Sequence, residues 1–210
     1  HKFEYDKNMQ KQLCRTEDII KHKKINKFLT EGLLPETISQ LFENEAILYK
    51  EKINYKYPNT GLYRTHQDIT AYPNSKNHIT ALINLGPTNR ENGSIEFSPL
   101  CENNFDKNII IEHKNGVICE PDKLKWTNPL ETSYGDIILF DSYIPHRSSI
   151  NTSILPRKAL YVTYNNITEG NLREEYYEMK KQRLESDKIS LIDHYKGDII
   201  KGDEKHKEYV

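Results

Sequence analysis

The chain has 210 residues, enough for one domain built around a single sizeable core. Hydrophobic residues make up 36% and charged residues 29%, a polar composition that is still globular. Thirty basic against thirty-one acidic side chains leave a net charge of −1, which removes any net electrostatic drive toward nucleic acid or an anionic membrane.

The first third reads as helical. Thr16-Glu17-Asp18 resembles a helix start ahead of Ile19, Ile20, Ile25 and Phe28. Gly32 and Pro35 punctuate the pattern, and Pro35-Glu36-Thr37 opens a second helix with Ile38, Leu41 and Phe42 on one face. From Ala46 the helical period stops. Strands are expected at 46–57, 62–68, 78–86, 94–98, 109–112, 117–119, 136–141, 145–150 and 157–165, with turns at Asn92-Gly93, Asn115-Gly116 and Tyr134-Gly135-Asp136. Gly170-Asn171 then precedes a charged helix near 171–186, and the last two dozen residues, with two Lys-Gly-Asp repeats, read as a solvated tail. The expected organisation is one domain over 1–210: a helical layer at 1–45, a β core at 46–168, and a helix with a polar tail at 169–210. Many short strands after a helical layer imply a mainly β fold, a sandwich or barrel with flanking helices.

Cys14, Cys101 and Cys119 are odd in number and widely spaced, without a disulfide framework or zinc spacing. No signal peptide or membrane-length apolar run is visible, so a cytoplasmic protein is expected. The chain begins at His1 rather than Met, which reads as a missing upstream segment that would carry part of a substrate pocket.

Three residues carry the chemistry. His66 and Asp68 stand in Tyr-Arg-Thr-His-Gln-Asp, and alternation along a strand turns both to one face. His-x-Asp alone is a weak signal. His146 strengthens it, because it follows the apolar run Ile137-Ile138-Leu139-Phe140 at the rim of a core. Two imidazoles and one carboxylate suit mononuclear non-haem Fe(II), with positions left open for chemistry. Taken singly, each residue has an ordinary reading: a polar pair beside a turn, or a histidine at a core edge. His78, ahead of another strand, is the rival ligand; His22, His113, His194 and His206 lie in charged runs expected to be exposed. Arg157 follows His146 by eleven residues at the start of a strand. A buried guanidinium fork suits a carboxylate; the alternative is a surface ion pair.

The constellation resembles the phytanoyl-CoA hydroxylase family of Fe(II)/2-oxoglutarate dioxygenases. The matching residues are His66-Gln67-Asp68, Asn92-Gly93, Gly135 to Phe140 ahead of His146, and Arg157, over about 46–166. Within it, four stretches resemble the 2-aminoethylphosphonate dioxygenases: Leu48 to Asn54, Phe140 to His146, Pro156 to Asn165 and Leu172 to Tyr177. The resemblance implies a double-stranded β-helix, the jelly-roll or cupin-like barrel. It implies that His66, Asp68 and His146 hold Fe(II), that Arg157 and Ser148 receive the far carboxylate of 2-oxoglutarate, and that O2 is the oxidant. Thr80 and Asn54 match positions that hydrogen-bond this co-substrate, and Tyr63 one that lines it; all three read equally well as ordinary strand or core residues. Family members that halogenate lack the carboxylate, so Asp68 implies hydroxylation.

Lys50, Lys52, Asn54 and Lys56 share one strand face, and Tyr49, Glu51, Ile53 and Tyr55 the other. On sequence alone the lysine face would be the wet one. The resemblance reverses this, because Asn54 should then face the cavity. A cavity lined by Lys50 and Lys52 favours a small anionic substrate such as an aminoalkylphosphonate. Arg147 and Arg64 are alternatives, although alternation points both away from the triad. Three other readings stay open: the same chemistry on an amino acid derivative or natural-product intermediate, a non-catalytic barrel that binds a metal or small acid, and a zinc hydrolase.

Overall fold

A computed structural model of the chain describes residues 1–5, 10–183, 190–192 and 194. In chain order the elements are β1 (Lys2–Tyr5), β2 (Lys11–Glu17), α1 (Lys23–Thr30), α2 (Leu33–Phe42), β3 (Ala46–Lys56), β4 (Tyr63–His66), β5 (His78–Asn84), β6 (Ile95–Phe97), β7 (His113–Lys114), β8 (Val117–Ile118), β9 (Ile137–Asp141), β10 (His146–Ser148), β11 (Arg157–Asn166) and α3 (Arg173–Arg183). One antiparallel sheet runs β1-β2-β3-β11-β5-β9 and the other β6-β10-β4-β8-β7. Leu82, Phe140 and Ala159 of the first meet Ile95 and Phe97 of the second in one apolar cluster. This is the double-stranded β-helix that the family resemblance implies.

Alternation on the long central strands separates two environments. Ala81, Ile83, Leu160, Val162 and Tyr164 turn to the helices, where Leu29, Leu34 and Ile38 cover them. The Tyr164 hydroxyl donates to the Leu29 carbonyl at 2.7 Å. Leu29 and Ile38 are fully buried, which stabilises by about 1.5–3 kcal/mol for each such side chain. The other face of β3 and β11 carries Lys50, Asn54, Lys56, Arg157 and Thr163, all buried inside the barrel.

The expected helix start at Thr16 is overturned. Residues 11–17 form β2, an added strand that pairs Arg15 with Asn54 and Glu17 with Lys52. Ladder hydrogen bonds to β3 outweigh the local capping pattern. Asp18 adopts a left-handed conformation (φ 54°, ψ 51°) and spends its carboxylate on Lys21 and Arg173 rather than on a cap. Helix α1 begins only at Lys23. The expected strand at 109–112 is also absent, because the Gln67 side chain takes the Ile109 carbonyl and the Ile111 N–H.

Strict alternation fails at Tyr49. The β3–β11 register slips between Thr163 and Tyr164, leaving Tyr49 in a bulge. Its ring packs on Tyr72, His78 and Tyr176, and Lys50 lies over the Tyr72 ring at 4.2 Å. Asn115 and Gly116 both have positive φ and close the two-residue hairpin between β7 and β8. Helix α3 is fastened to the first sheet by Arg173 on Glu51 and Lys180 on Glu17. Its expected extension to 186 and the two Lys-Gly-Asp repeats lie outside the described residues. Among the described residues, no helix is long and apolar enough to cross a membrane.

Candidate metal centre and co-substrate pocket

His66 and His146 face each other across the β4–β10 pair. Asp68 lies just past β4, in a 3-10 turn spanning Asp68–Ala71. Gln67 remains extended (φ −115°, ψ 128°), so alternation carries one residue beyond the strand and returns Asp68 to the side of His66. One ligand atom from each of His66, Asp68 and His146 lies within 4.8 Å of the other two, and all three residues are buried. Each ring is held by its Nδ1: His66 on the Arg64 carbonyl at 2.6 Å, His146 on the Ile144 carbonyl at 3.0 Å. A ring that donates Nδ1–H to a carbonyl presents Nε2 as a free lone pair, the tautomer a metal requires.

The electrostatics fit a cation. Burial pushes both imidazoles below the usual histidine range, His66 well below it, with His146 adding to the effect there. Burial alone would raise Asp68, but Lys50, His146, Lys52 and His66 outweigh it and hold the carboxyl well below the usual carboxylate range. Neutral imidazoles beside a carboxylate are the protonation states of a ligand set. His78 is not part of it. It is fully buried between the Tyr49 and Tyr72 rings, at about 3, lowered by burial and then by Lys50.

Arg157 is buried at the start of β11, with Nε and Nη1 lacking any partner. Orphaned guanidinium nitrogens are costly unless a ligand meets them, and a carboxylate fits the fork. Ser148 stands nearby: its Oγ accepts from Lys56 Nζ at 2.8 Å, and Lys56 is the ladder partner of Arg157. The Asn54 Oδ1 accepts from Arg15 Nε at 2.9 Å, and Thr80 and Thr163 share a hydrogen bond of 2.9 Å across β5 and β11. Tyr63, Asn54 and Ser148 line the cavity that contains the triad.

The lysine face is interior. Lys52 lines the cavity and lies over the Tyr161 ring at 5.2 Å. Burial brings Lys50 down to about 8, against the opposing pull of Asp68. Burial, followed by repulsion from Lys50, pushes Lys52 well below the usual lysine range. Arg147 is placed differently: it pairs with Glu96 at 2.8 Å and stacks on Trp126 at 4.2 Å. Its guanidinium serves the wall of a cleft of about 550 Å³ that adjoins the triad cavity and shares Tyr63, Arg147 and Ser148 with it.

Three cavity-side residues escaped sequence reasoning. Arg15 arrives on the strand that was expected to be helix. Lys56 was one more lysine of the face, yet it donates to the Gly93 and Ser149 carbonyls at 2.9 and 2.6 Å. His194 was expected to be exposed and is 4% exposed, lining the triad cavity. Its charged neighbours in the sequence hid it.

Residues 3–159 match the family model for Phytanoyl-CoA dioxygenase (PhyH). The chain belongs to the phytanoyl-CoA dioxygenase family. This family member is 42% identical over 195 residues to a methylphosphonate hydroxylase of Gimesia maris (strain ATCC 29201 / DSM 8797 / 534-30), covering 88% of this chain and 74% of the relative. It is 37% identical over 181 residues to a 2-aminoethylphosphonate dioxygenase of Uncultured bacterium HF130_AEPn_1, covering 83% and 67%. Among solved structures, that of EctD from S. alaskensis with bound Fe superposes with a TM-score of 0.63 at 16% identity, covering 80% of this chain. The chain spans about three-fifths of the EctD length, 61%, and the likeness concerns the fold.

Proposed function

We propose that the chain is an Fe(II)- and 2-oxoglutarate-dependent dioxygenase that uses O2 to hydroxylate a C–H bond of a small alkyl- or aminoalkylphosphonate. The observation that carries this reading is the interior lysine face of β3 beside the triad and the buried, unpartnered Nε and Nη1 of Arg157. Two acid-binding devices serve two acids, a co-substrate and a substrate. The names of the two phosphonate-acting relatives support the choice of acid.

Bound iron with 2-oxoglutarate supplies the oxidation of the C–H bond, with succinate and CO2 as co-products. The protein's residues do the rest. His66, Asp68 and His146 would hold the metal, and the Arg64 and Ile144 carbonyls fix the two rings. Arg157 and Ser148 would take the far carboxylate of the co-substrate, with Thr80, Asn54 and Tyr63 along its length. Lys52 and Lys50 would hold the phosphonate and so aim its carbon at the metal. Arg147, tied to Glu96, would shape the entrance.

Anaerobic loading with Fe(II) and 2-oxoglutarate, then oxygen with a panel of phosphonates, carboxylates and sulfonates, tests the reading. Succinate release and phosphorus NMR should show a hydroxylated phosphonate, and Lys52→Ala should raise the phosphonate KM by tenfold or so. Coupled succinate formation with a carboxylate alone would replace the substrate; turnover without oxygen would replace the reaction.

A further inference from the structure

His194 lies in the triad cavity, and the reading above gives it no task. Its Nδ1 is buried without a hydrogen-bond partner. The ring meets His66 edge-on with centroids 4.6 Å apart, and Tyr63 in the same way at 4.9 Å. This position is anchored. Ile192 is 3% exposed in the apolar cluster of Tyr49, Tyr72 and Tyr176, and its carbonyl accepts from the His194 N–H at 3.0 Å. Gly116 admits that turn, since a Cβ there would come within 3.1 Å of the Ile192 side chain.

A polar atom buried without a partner is a standing cost, which a ligand oxygen would relieve. The metal is already provided for: the three ligating atoms that converge come from His66, Asp68 and His146. The co-substrate's far carboxylate is also provided for, by the open fork of Arg157. The acid group that still needs donors is the substrate's. Lys52 lines the same cavity as His194 and offers an amine beside its imidazole.

The geometry points to His194 as a substrate-binding residue whose imidazole N–H donates to an acid oxygen of the substrate, beside Lys52 on the same cavity wall. The identity of the acid rests on the phosphonate reading; the presence of the donor does not. A second consequence is that a residue beyond α3 and outside both sheets contributes to specificity.

The test is calorimetric titration without oxygen of the protein loaded with Fe(II) and 2-oxoglutarate. The titrants are methylphosphonate, 2-aminoethylphosphonate, acetate and methanesulfonate, against wild type, His194→Ala and His194→Gln. His194→Ala should bind the phosphonates about tenfold or more weakly, the loss expected for a hydrogen bond to a charged group. Iron content and 2-oxoglutarate affinity should stay within about twofold of wild type, and His194→Gln, whose amide can donate, should regain part of the loss. Unchanged phosphonate affinity in His194→Ala overturns the assignment. So does a loss shared equally with 2-oxoglutarate, which marks a packing role. If wild type binds only acetate or methanesulfonate, the phosphonate reading falls and His194 is judged on that acid. If it binds none of the four, both fall.

Discussion

Lys56 and Arg157 stand directly opposite each other in the β3–β11 ladder, two buried basic side chains side by side within the barrel. Burial, with Arg157 adding to it, pushes the Lys56 ammonium well below the usual lysine range. The three hydrogen bonds of Lys56 go to uncharged oxygens, those of Gly93, Ser148 and Ser149. A dicarboxylate entering beside Arg157 would bring the negative charge this pair calls for. Arg157→Gln should therefore weaken 2-oxoglutarate binding by thirtyfold or so, the lower end of about 2–5 kcal/mol for truncating a buried charged pair. Arg157→Lys should recover little, because a point charge cannot reproduce the fork. Calorimetry with the metal-loaded protein reads both; equal affinity in all three proteins would remove Arg157 from the co-substrate site.

Lys56 itself should behave as a structural clasp. Lys56→Met leaves the Gly93 and Ser149 carbonyls without their donor, and urea unfolding should show a loss of about 1–3 kcal/mol. Gly93→Ala attacks the same junction from the other side. At φ +68° its Cβ would stand 2.3 Å from the Ser149 carbonyl oxygen, so it should destabilise comparably or more. Full stability in both variants would show that the junction carries no load.

At the triad, His66→Ala and His146→Ala should each cut iron affinity and turnover by on the order of a hundredfold or more, while leaving the fold intact. Metal analysis with thermal unfolding separates the two effects. A His66→Ala protein with stoichiometric iron and full turnover would sink the ligand assignment.

The fastening of α3 should be sensitive to acid. Glu17 bonds Lys180 at 2.5 Å and lies 3.6 Å from Arg15. Burial alone would raise Glu17, but Arg15, Lys180 and Lys52 outweigh it and bring the carboxyl from 4.5 to about 2. A carboxyl depressed in the folded state contributes stability that is fully present above its unfolded value and lost as pH falls through its folded one. The stability gap between wild type and Glu17→Gln should thus be widest near neutrality and close between roughly pH 4.5 and 2. Urea unfolding across that range measures it; a gap that widens on acidification contradicts the sign.

Much of this architecture could be read from the residues. The alternation of His66 with Asp68 and the apolar run before His146 are local patterns, and they survive folding because strands preserve alternation; the interior place of Arg157 follows only from the family resemblance. The sequence misled where partners lie far along the chain. Thr16-Glu17-Asp18 carries a good capping pattern, yet β3 offers it a ladder. Alternation puts Tyr49 on the face opposite Lys50, but a one-residue slip against β11 brings both to the Tyr72 ring. His194 looks solvated among charged neighbours, and only the burial of Ile192 draws it in. Such outcomes depend on contacts across the fold, which no window of sequence contains.

Gln67, fully buried between two metal-binding candidates, has a consequence for how the motif is understood. Its amide nitrogen donates to the Ile109 carbonyl at 2.8 Å and to the Tyr143 carbonyl, and its amide oxygen accepts from Ile111 N–H at 2.9 Å. Glutamate could not donate, leucine could do neither, and asparagine would fall short. The middle letter of His-x-Asp in this chain is therefore a rivet joining three separate stretches of backbone behind the triad. Drift in it would loosen the triad without changing any of its three residues.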